Sequence, residues 1–359
     1  MRSFFDKYPV ADKVIAAGVS GGADSLALVL RLKEWGDANG KKIVALTVDH
    51  GLRSEAAAEA AYVAEVMQRF GIEHHILRWE GKKPVHGIEE AARKARYDLI
   101  AAWCRGAGVR VLATGHHRRD QAETFLLRLI RGSGVSGLSG ILPVSERLGL
   151  MIIRPQLFDA PDDLKAYLEQ CGVAWVEDPS NRNEDFLRVK IRNYLPVLSA
   201  ELGLTEERLA ATAGILEKTR SFLDCEVAKF VKNHCRFWEK CGCSFAESVF
   251  LTLHEELQYR VLTQLFRQVG EKVYAPEAGE VLRVAGLVRS GSFKGCTLGG
   301  CAVILRYGRL WIVREGRKAR KISRREWDDY VAAHPQYGRL RLPYKLKCLL
   351  VGEECGNRA

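Results

Sequence analysis

The hexapeptide Ser20-Gly21-Gly22-Ala23-Asp24-Ser25 joins an apolar run, Val14–Val19, to a helix-like run, Leu26–Trp35. A strand, a glycine turn and a helix start together make a phosphate cradle. The glycines allow close backbone approach. Successive N–H groups can then face an anion, and the helix N-terminus adds roughly half a positive charge. Ser20 and Ser25 add hydroxyl donors. Asp24 would repel a bare phosphate, so its place in the loop makes sense if it holds magnesium. No lysine follows the glycines as in G-x-x-x-x-G-K-[ST], and G-x-G-x-x-G is absent, which argues against Walker-type kinases and dinucleotide dehydrogenases.

Three further clusters could carry chemistry. Val48-Asp49-His50-Gly51-Leu52-Arg53 ends a second apolar run and could frame a nucleotide. Gly87–Tyr97 reads as a helix with Glu89, Arg93 and Arg96 or Tyr97 on one face. That face is either a salt-bridge ladder or an arginine clamp on a triphosphate. The densest cluster, Thr114-Gly115-His116-His117-Arg118-Arg119-Asp120-Gln121-Ala122-Glu123-Thr124, sits where a strand gives way to a helix, Gln121–Arg131.

The elements that must position these residues alternate in period. Strands are predicted at Lys13–Val19, Lys42–Val48, Glu73–Trp79, Arg110–Thr114 and Met151–Arg154. Amphipathic helical stretches such as Ser54–Phe70 and Ile88–Cys104 lie between them. This alternation implies an α/β fold, a doubly wound and mostly parallel sheet whose ligands bind beyond the strands' carboxyl ends. A smaller C-terminal domain of helical and α+β character is expected to follow. Its predicted helices are Thr205–Asn233, Leu251–Gln268 and Pro276–Ser290. Strands follow around Phe293–Val303 and Arg309–Arg314, with a turn at Gly299-Gly300. The expected domains are 1–205 (catalytic), 206–315 (substrate-binding) and 316–359 (a basic extension); in the last, the run of Arg317, Lys318, Arg320, Lys321, Arg324 and Arg325 reads as solvated, with an RNA contact as the alternative.

A chain of 359 residues with 47% hydrophobic and 28% charged residues is ordinary for a folded protein. Its net charge of +11 favours a polyanionic partner. No apolar run approaches the ~20 residues that span a bilayer. The first residues lack the apolar core of a secretion signal, so no membrane partner and a cytoplasmic location are expected. His234, Cys235, Cys241 and Cys243 are the one metal-like cluster, and their spacing matches no paired C-x2-C zinc framework.

The loop at Ser20–Ser25 resembles that of N-type ATP pyrophosphatases, the PP-loop superfamily, which cleave ATP between its α and β phosphates. With Val48–Arg53, Glu89–Tyr97, His116–Gly134, Arg154-Pro155, Glu177–Asn181 and Arg188–Leu198, the chain is similar to the tRNA(Ile)-lysidine synthetase family. The likeness is strong over roughly the first 200 residues and weaker over Leu251–Glu315. It implies a ligase using ATP and Mg2+. Such a ligase adenylates the wobble cytidine of tRNA(Ile) with a CAU anticodon, then attaches L-lysine, releasing AMP and pyrophosphate. It further implies that Ser20, Gly21, Gly22, Ala23, Asp24 and Ser25 hold the phosphates. Val48, Asp49 and His50 would sit near the adenosine, and Asp24 and Asp120 on magnesium. Asp24, Arg93, Arg96, His116, Asp120 and Glu123 form the implied catalytic set, with His116, Asp120 or Glu123 accepting the proton of lysine. A homodimer is left open.

The sequence departs from the family pattern H-H-x-D-D-Q-A-E-T at Arg119, which replaces the first aspartate. If that aspartate helped to bind magnesium, the charge reversal would weaken metal binding. The glycine before His116 is usually alanine, and the chain ends before a full second C-terminal domain. Two other readings compete. A tRNA sulfurtransferase needs cysteines or an iron–sulfur cluster, yet no cysteine lies near either cluster in the sequence. A nucleotide- or RNA-binding protein without turnover is favoured by Arg119 alone.

Overall fold

The computed structural model describes residues 1–51, 56–81, 83–84, 87–177, 187–238, 241–272, 275–315, 321–337 and 340–356. Leu52, Arg53, Asp178–Asn181, Arg317, Lys318 and Arg320 lie outside the described residues, as does the side chain of Glu89. The chain divides into two compact units, residues 1–220 and 221–359.

The first unit runs α1 (Arg2–Lys7), β1 (Val14–Gly18), α2 (Ala23–Ala38), β2 (Lys42–Asp49), α3 (Ala56–Arg69), β3 (Glu73–Arg78), α4 (Ile88–Gly106), β4 (Val111–Ala113), α5 (Arg118–Ile130) and α6 (Val135–Leu138). It continues with β5 (Val144–Arg147), β6 (Leu150–Ile153), α7 (Pro161–Gln170), α8 (Leu187–Leu202) and the start of α9 (Glu206–His234). Among the described residues the strand order is β3-β2-β1-β4-β6-β5, parallel except for the β5–β6 hairpin. The doubly wound expectation therefore holds, with β5 as an antiparallel edge that the sequence did not signal.

Strand β1 is apolar throughout because both of its faces are covered. Ile15 and Ala17 pack with α2, α3 and α7, while Ala16 packs with α4 on the other side. The chain leaves β1 toward β2 on one side and returns beyond it to β4 on the other. The crevice between the carboxyl ends of β1 and β4 is thus the switch point where such sheets bind ligands.

The second unit contains the rest of α9, then β7 (Arg236–Trp238), β8 (Gly242–Ala246), α10 (Glu247–Leu251), α11 (Glu255–Gly270), α12 (Ala278–Arg289), β9 (Cys296–Leu298), β10 (Cys301–Arg306), β11 (Arg309–Arg314), α13 (Arg324–Ala333) and α14 (Tyr344–Gly356). Its strands form an antiparallel sheet in the order β7-β8-β11-β10-β9. Gly299 and Gly300, both at positive φ, make the expected turn between β9 and β10. Alternate residues of β11 serve two layers. Leu310 and Ile312 pack with α11 and α12, whereas Trp311 and Val313 pack with residues of α13 and α14.

The stretch that carries and follows the basic run contributes to this second layer. Ile322, Tyr330, Tyr337, Leu342 and Leu346 are buried against Trp238 and Trp311, while Lys321, Arg324 and Arg325 stay exposed. The cysteine cluster is also dispersed. Cys241 belongs to this layer and Cys243 to the opposite one. Burial raises the Cys235 thiol to about 12 and also raises that of Cys243, which favours neutral thiols packed as small apolar groups.

Candidate functional site

The Ser20–Ser25 loop is held by its own hydrogen bonds. Gly21 takes φ +87°, a conformation open to glycine, and its carbonyl accepts from Val176 N at 3.0 Å. Ser25 Oγ accepts from Ser20 N at 3.1 Å and donates to the Gly22 carbonyl at 2.9 Å, so the hydroxyl locks the turn. Gly22 caps α2, and its carbonyl accepts from Ser25 N and Leu26 N at 3.1 Å, so the N–H groups of Ala23 and Asp24 are the ones with no carbonyl a turn earlier in the helix.

A cavity of about 270 Å³ opens from this loop at the carboxyl edge of β1, β2 and β4. Ser20, Gly22, Asp24, Ser25, Val48, Arg93, Arg96, His116 and Asp120 all line it, which brings most of the sequence-derived set together. Gly21, Ala23, Asp49, His50 and Glu123 do not line it. Asp49 instead closes its own turn, accepting from Gly51 N at 2.9 Å. His50 Nε2 lies 3.3 Å from Arg96 Nη2. Burial and then the Arg96 charge push the His50 pKa down to about 4, so the neutral ring accepts from the guanidinium and helps to aim it.

The loop after β4 crosses close to α2. A Cβ on Gly115 would meet the Asp24 carbonyl oxygen at 3.0 Å, so this position sets how near His116 and His117 approach the phosphate loop. His116 Nδ1 pairs with Thr114 Oγ1 at 3.0 Å. Burial, helped by Arg154, Arg93 and Arg188 against the pull of Asp120, lowers its pKa to about 4.

His117 behaves oppositely. Burial opposes its charge, but Asp24, Asp120 and Glu123 outweigh that and raise its pKa. Its Nε2 stands 3.4 Å from Asp24 Oδ2 and 3.6 Å from Asp120 Oδ2. Asp120 also accepts from His117 N at 3.1 Å and from Arg188 Nη2 at 2.6 Å. Burial works against its ionisation, yet His117 and Arg188 hold its pKa below the usual carboxylate value.

Glu123 is fully buried between Arg188 Nε and Arg192 Nε, each at 2.6 Å. It does not face substrate space. Its carboxylate orients Arg188, which does line the cavity and which the sequence marked only as part of a basic apolar stretch. The signal for Arg188 was its spacing: residues 188 and 192 lie one helical turn apart and so share a face. Arg119 points away, its Nε donating to Glu206 Oε1 at 2.6 Å at the start of α9. Beside it, Arg118 pairs with Glu207 at 2.6 Å. The charge reversal at Arg119 therefore places no guanidinium in the cavity lining.

Two carboxylates, Asp24 and Asp120, border the cavity on either side of one imidazole nitrogen. No group of three or more His, Cys, Asp or Glu arranged for a metal occurs among the described residues. Hard oxygen donors in so small a number fit magnesium, which is usually held by one or two carboxylates together with substrate phosphates and water.

The titrations of His50 and His116 predict acid sensitivity of the nucleotide-free protein. Both rings stay neutral in the folded chain down to about pH 4, whereas an unfolded histidine protonates near its ordinary 6.5. The unfolded state therefore binds more protons between those values, and stability falls as pH drops from 6.5 toward 4. Urea unfolding across that range should show this loss, and His50→Gln should flatten it by about one proton. An unchanged slope in the variant would refute the buried neutral ring. His117, with its raised pKa, contributes with the opposite sign: its share is present below 6.5 and is lost as pH rises through its folded value.

Residues 1–198 match the PP-loop domain family. The chain is 43% identical over 219 residues to a tRNA(Ile)-lysidine synthase of a Bradyrhizobium species, a match spanning 60% of this chain and 61% of that protein. It is 38% identical over 288 residues to the enzyme of that name from Bradyrhizobium diazoefficiens, covering 78% of this chain and 79% of that one. Among solved structures, a U34-tRNA thiolase from Methanococcus maripaludis superposes with a TM-score of 0.52 at 16% identity, covering 60% of this chain and 77% of the thiolase. That last likeness shows the fold alone, and among the described residues no cysteine lines the cavity here.

Proposed function

The chain belongs to the tRNA(Ile)-lysidine synthase family, and on that premise we propose that its cavity activates the wobble cytidine of a CAU-anticodon tRNA(Ile) with ATP and joins it to L-lysine, in the cytoplasm. The observation that carries this reading is the convergence of the phosphate loop, Arg93, Arg96, His116, Asp120 and Arg188 on one cavity.

The chemistry has two steps. The C2 oxygen of cytidine attacks the α-phosphorus, forming a P–O bond as the bond to the β-phosphate bridge breaks and pyrophosphate leaves. The ε-amine of lysine then attacks C2, and AMP leaves with the oxygen. The N–H groups of Ala23 and Asp24 and the Ser20 hydroxyl would bind the phosphates, with the Ser25 hydroxyl holding the turn. Arg93 and Arg96, which line the cavity, would stabilise charge that develops on the leaving pyrophosphate, a contribution of several kcal/mol in a preorganised site. When bound, magnesium would be held by Asp24 and Asp120 and would supply charge neutralisation to the phosphates.

Lysine must lose a proton before it attacks. Glu123 is enclosed by two arginines and Asp120 is engaged by Arg188 and His117 N, so His116 is the best-placed acceptor of the three. Its low basicity comes partly from Arg93, Arg154 and Arg188, and a bound triphosphate would offset those charges. The functional test is direct: incubation with ATP, magnesium, lysine and CAU-anticodon tRNA should release AMP and pyrophosphate, and mass spectrometry should find lysine on the wobble cytidine. Pyrophosphate release that requires a sulfur donor instead of lysine would sink the assignment.

A further inference from the structure

At the tip of the β10–β11 hairpin, three features run against fold stability. Arg306 and Arg309 stand directly opposite each other across the strands, an arrangement in which like charges repel. Between them, Tyr307 at φ +56° and Gly308 at φ +66° make a two-residue turn. Such turns favour asparagine, aspartate or glycine at both positions, and a tyrosine there carries left-handed strain. Tyr307 is nonetheless 49% exposed as a residue, so it gains little from burial. The turn between β5 and β6 has the same geometry at Leu148-Gly149, so a left-handed residue alone is no signal. The combination of ring and opposed arginines is.

The tip is also held firmly. Gly308 O accepts from Glu247 N at 3.0 Å, Arg306 O from Trp311 Nε1 at 3.1 Å, and Arg309 Nη2 donates to Ser244 O at 3.2 Å. The exposed Arg306 guanidinium lies over the Tyr307 ring, 5.2 Å from its centroid. A fixed, solvent-facing aromatic platform beside positive charge is what stacks an unpaired base while meeting its phosphate. Arg309 is accounted for by its bonds to Ser244, which leaves Tyr307 and Arg306 as the positions that cost the fold, and such positions are where function is expected. We propose that Arg306 and Tyr307 form a stacking contact for an unpaired base of the RNA substrate. The partner named here rests on the functional reading above.

The test uses Tyr307→Asn, which suits the left-handed turn but removes the ring. Its Tm should rise by roughly 2–4 °C as strain is relieved. Its tRNA Kd should weaken roughly fivefold to a hundredfold, the range of one lost stack. Tyr307→Phe should keep wild-type affinity, and Arg306→Gln should weaken binding with a log–log salt slope about 0.7–0.9 shallower. Unchanged affinity in Tyr307→Asn overturns the proposal, and so does a Tyr307→Phe loss equal to that of asparagine. Wild-type protein that makes lysidine while Tyr307→Asn binds normally refutes the contact alone. Wild-type protein that neither binds the tRNA nor makes lysidine refutes the functional reading and the contact with it.

Discussion

Asp24→Asn is expected to slow pyrophosphate release from ATP by about a thousandfold, with the fold intact. The Asp24 side chain is 43% exposed, and its partner is His117 at 3.4 Å. As an acid in the first turn of α2 it contributes at most about 1 kcal/mol to the helix, so the Tm should move by only a few degrees. Its functional weight comes from sign. A carboxylate within a phosphate cradle repels the triphosphate unless a cation stands between them. Asparagine should therefore bind ATP as well as or better than the wild type when magnesium is absent, and should gain little when magnesium is added. Isothermal titration with and without the metal reads that difference directly. Equal magnesium dependence in both proteins would reduce Asp24 to a helix-dipole acid.

The same residue shows why part of the site is legible in the sequence. A loop that binds phosphate through backbone N–H groups must be written in glycine and small hydroxyl residues, and parallel strands covered on both faces must be apolar runs. Hence Val14–Gly18 and Lys42–Asp49 fall within a residue or so of their expected limits. Strands that break those rules were missed. In β5, Val-Ser-Glu-Arg is an edge with one apolar residue. In β8, Gly-Cys-Ser-Phe-Ala is almost wholly buried but short and without a β-branched residue, and its cysteine drew attention as a metal ligand. The tail after Lys321 was obscured by its charges, because tryptophans far away in sequence supply its core partners. Residue types also suggested which side chains could react, but not which way they face. Arg119 looked like an intrusion on the metal and instead meets Glu206, while Glu123 looked like a base and instead holds two arginines.

That difference for Glu123 has a measurable consequence. Glu123→Gln keeps the shape but removes the charge between Arg188 and Arg192, at a position with no exposure. The arginines left behind are 45% and 33% exposed, so the loss is that of charged hydrogen bonds, about 1.5–3 kcal/mol, or roughly 5 °C in Tm for a unit of this size. Arg188 would keep Asp120 as a partner at 2.6 Å but lose the contact that fixes its Nε. Its aim into the cavity should loosen, so adenylation and lysine transfer should fall together. A residue that accepted the proton of lysine would give a different pattern. Its glutamine variant would melt normally, adenylate the cytidine and stall before lysine attack, so that adenylated tRNA accumulates. Thermal unfolding and a single-turnover assay that separates the two steps distinguish these outcomes. Glu123→Asp sharpens the comparison: a carboxylate shortened by one methylene cannot span both guanidiniums, so the aspartate should recover only part of the lost stability.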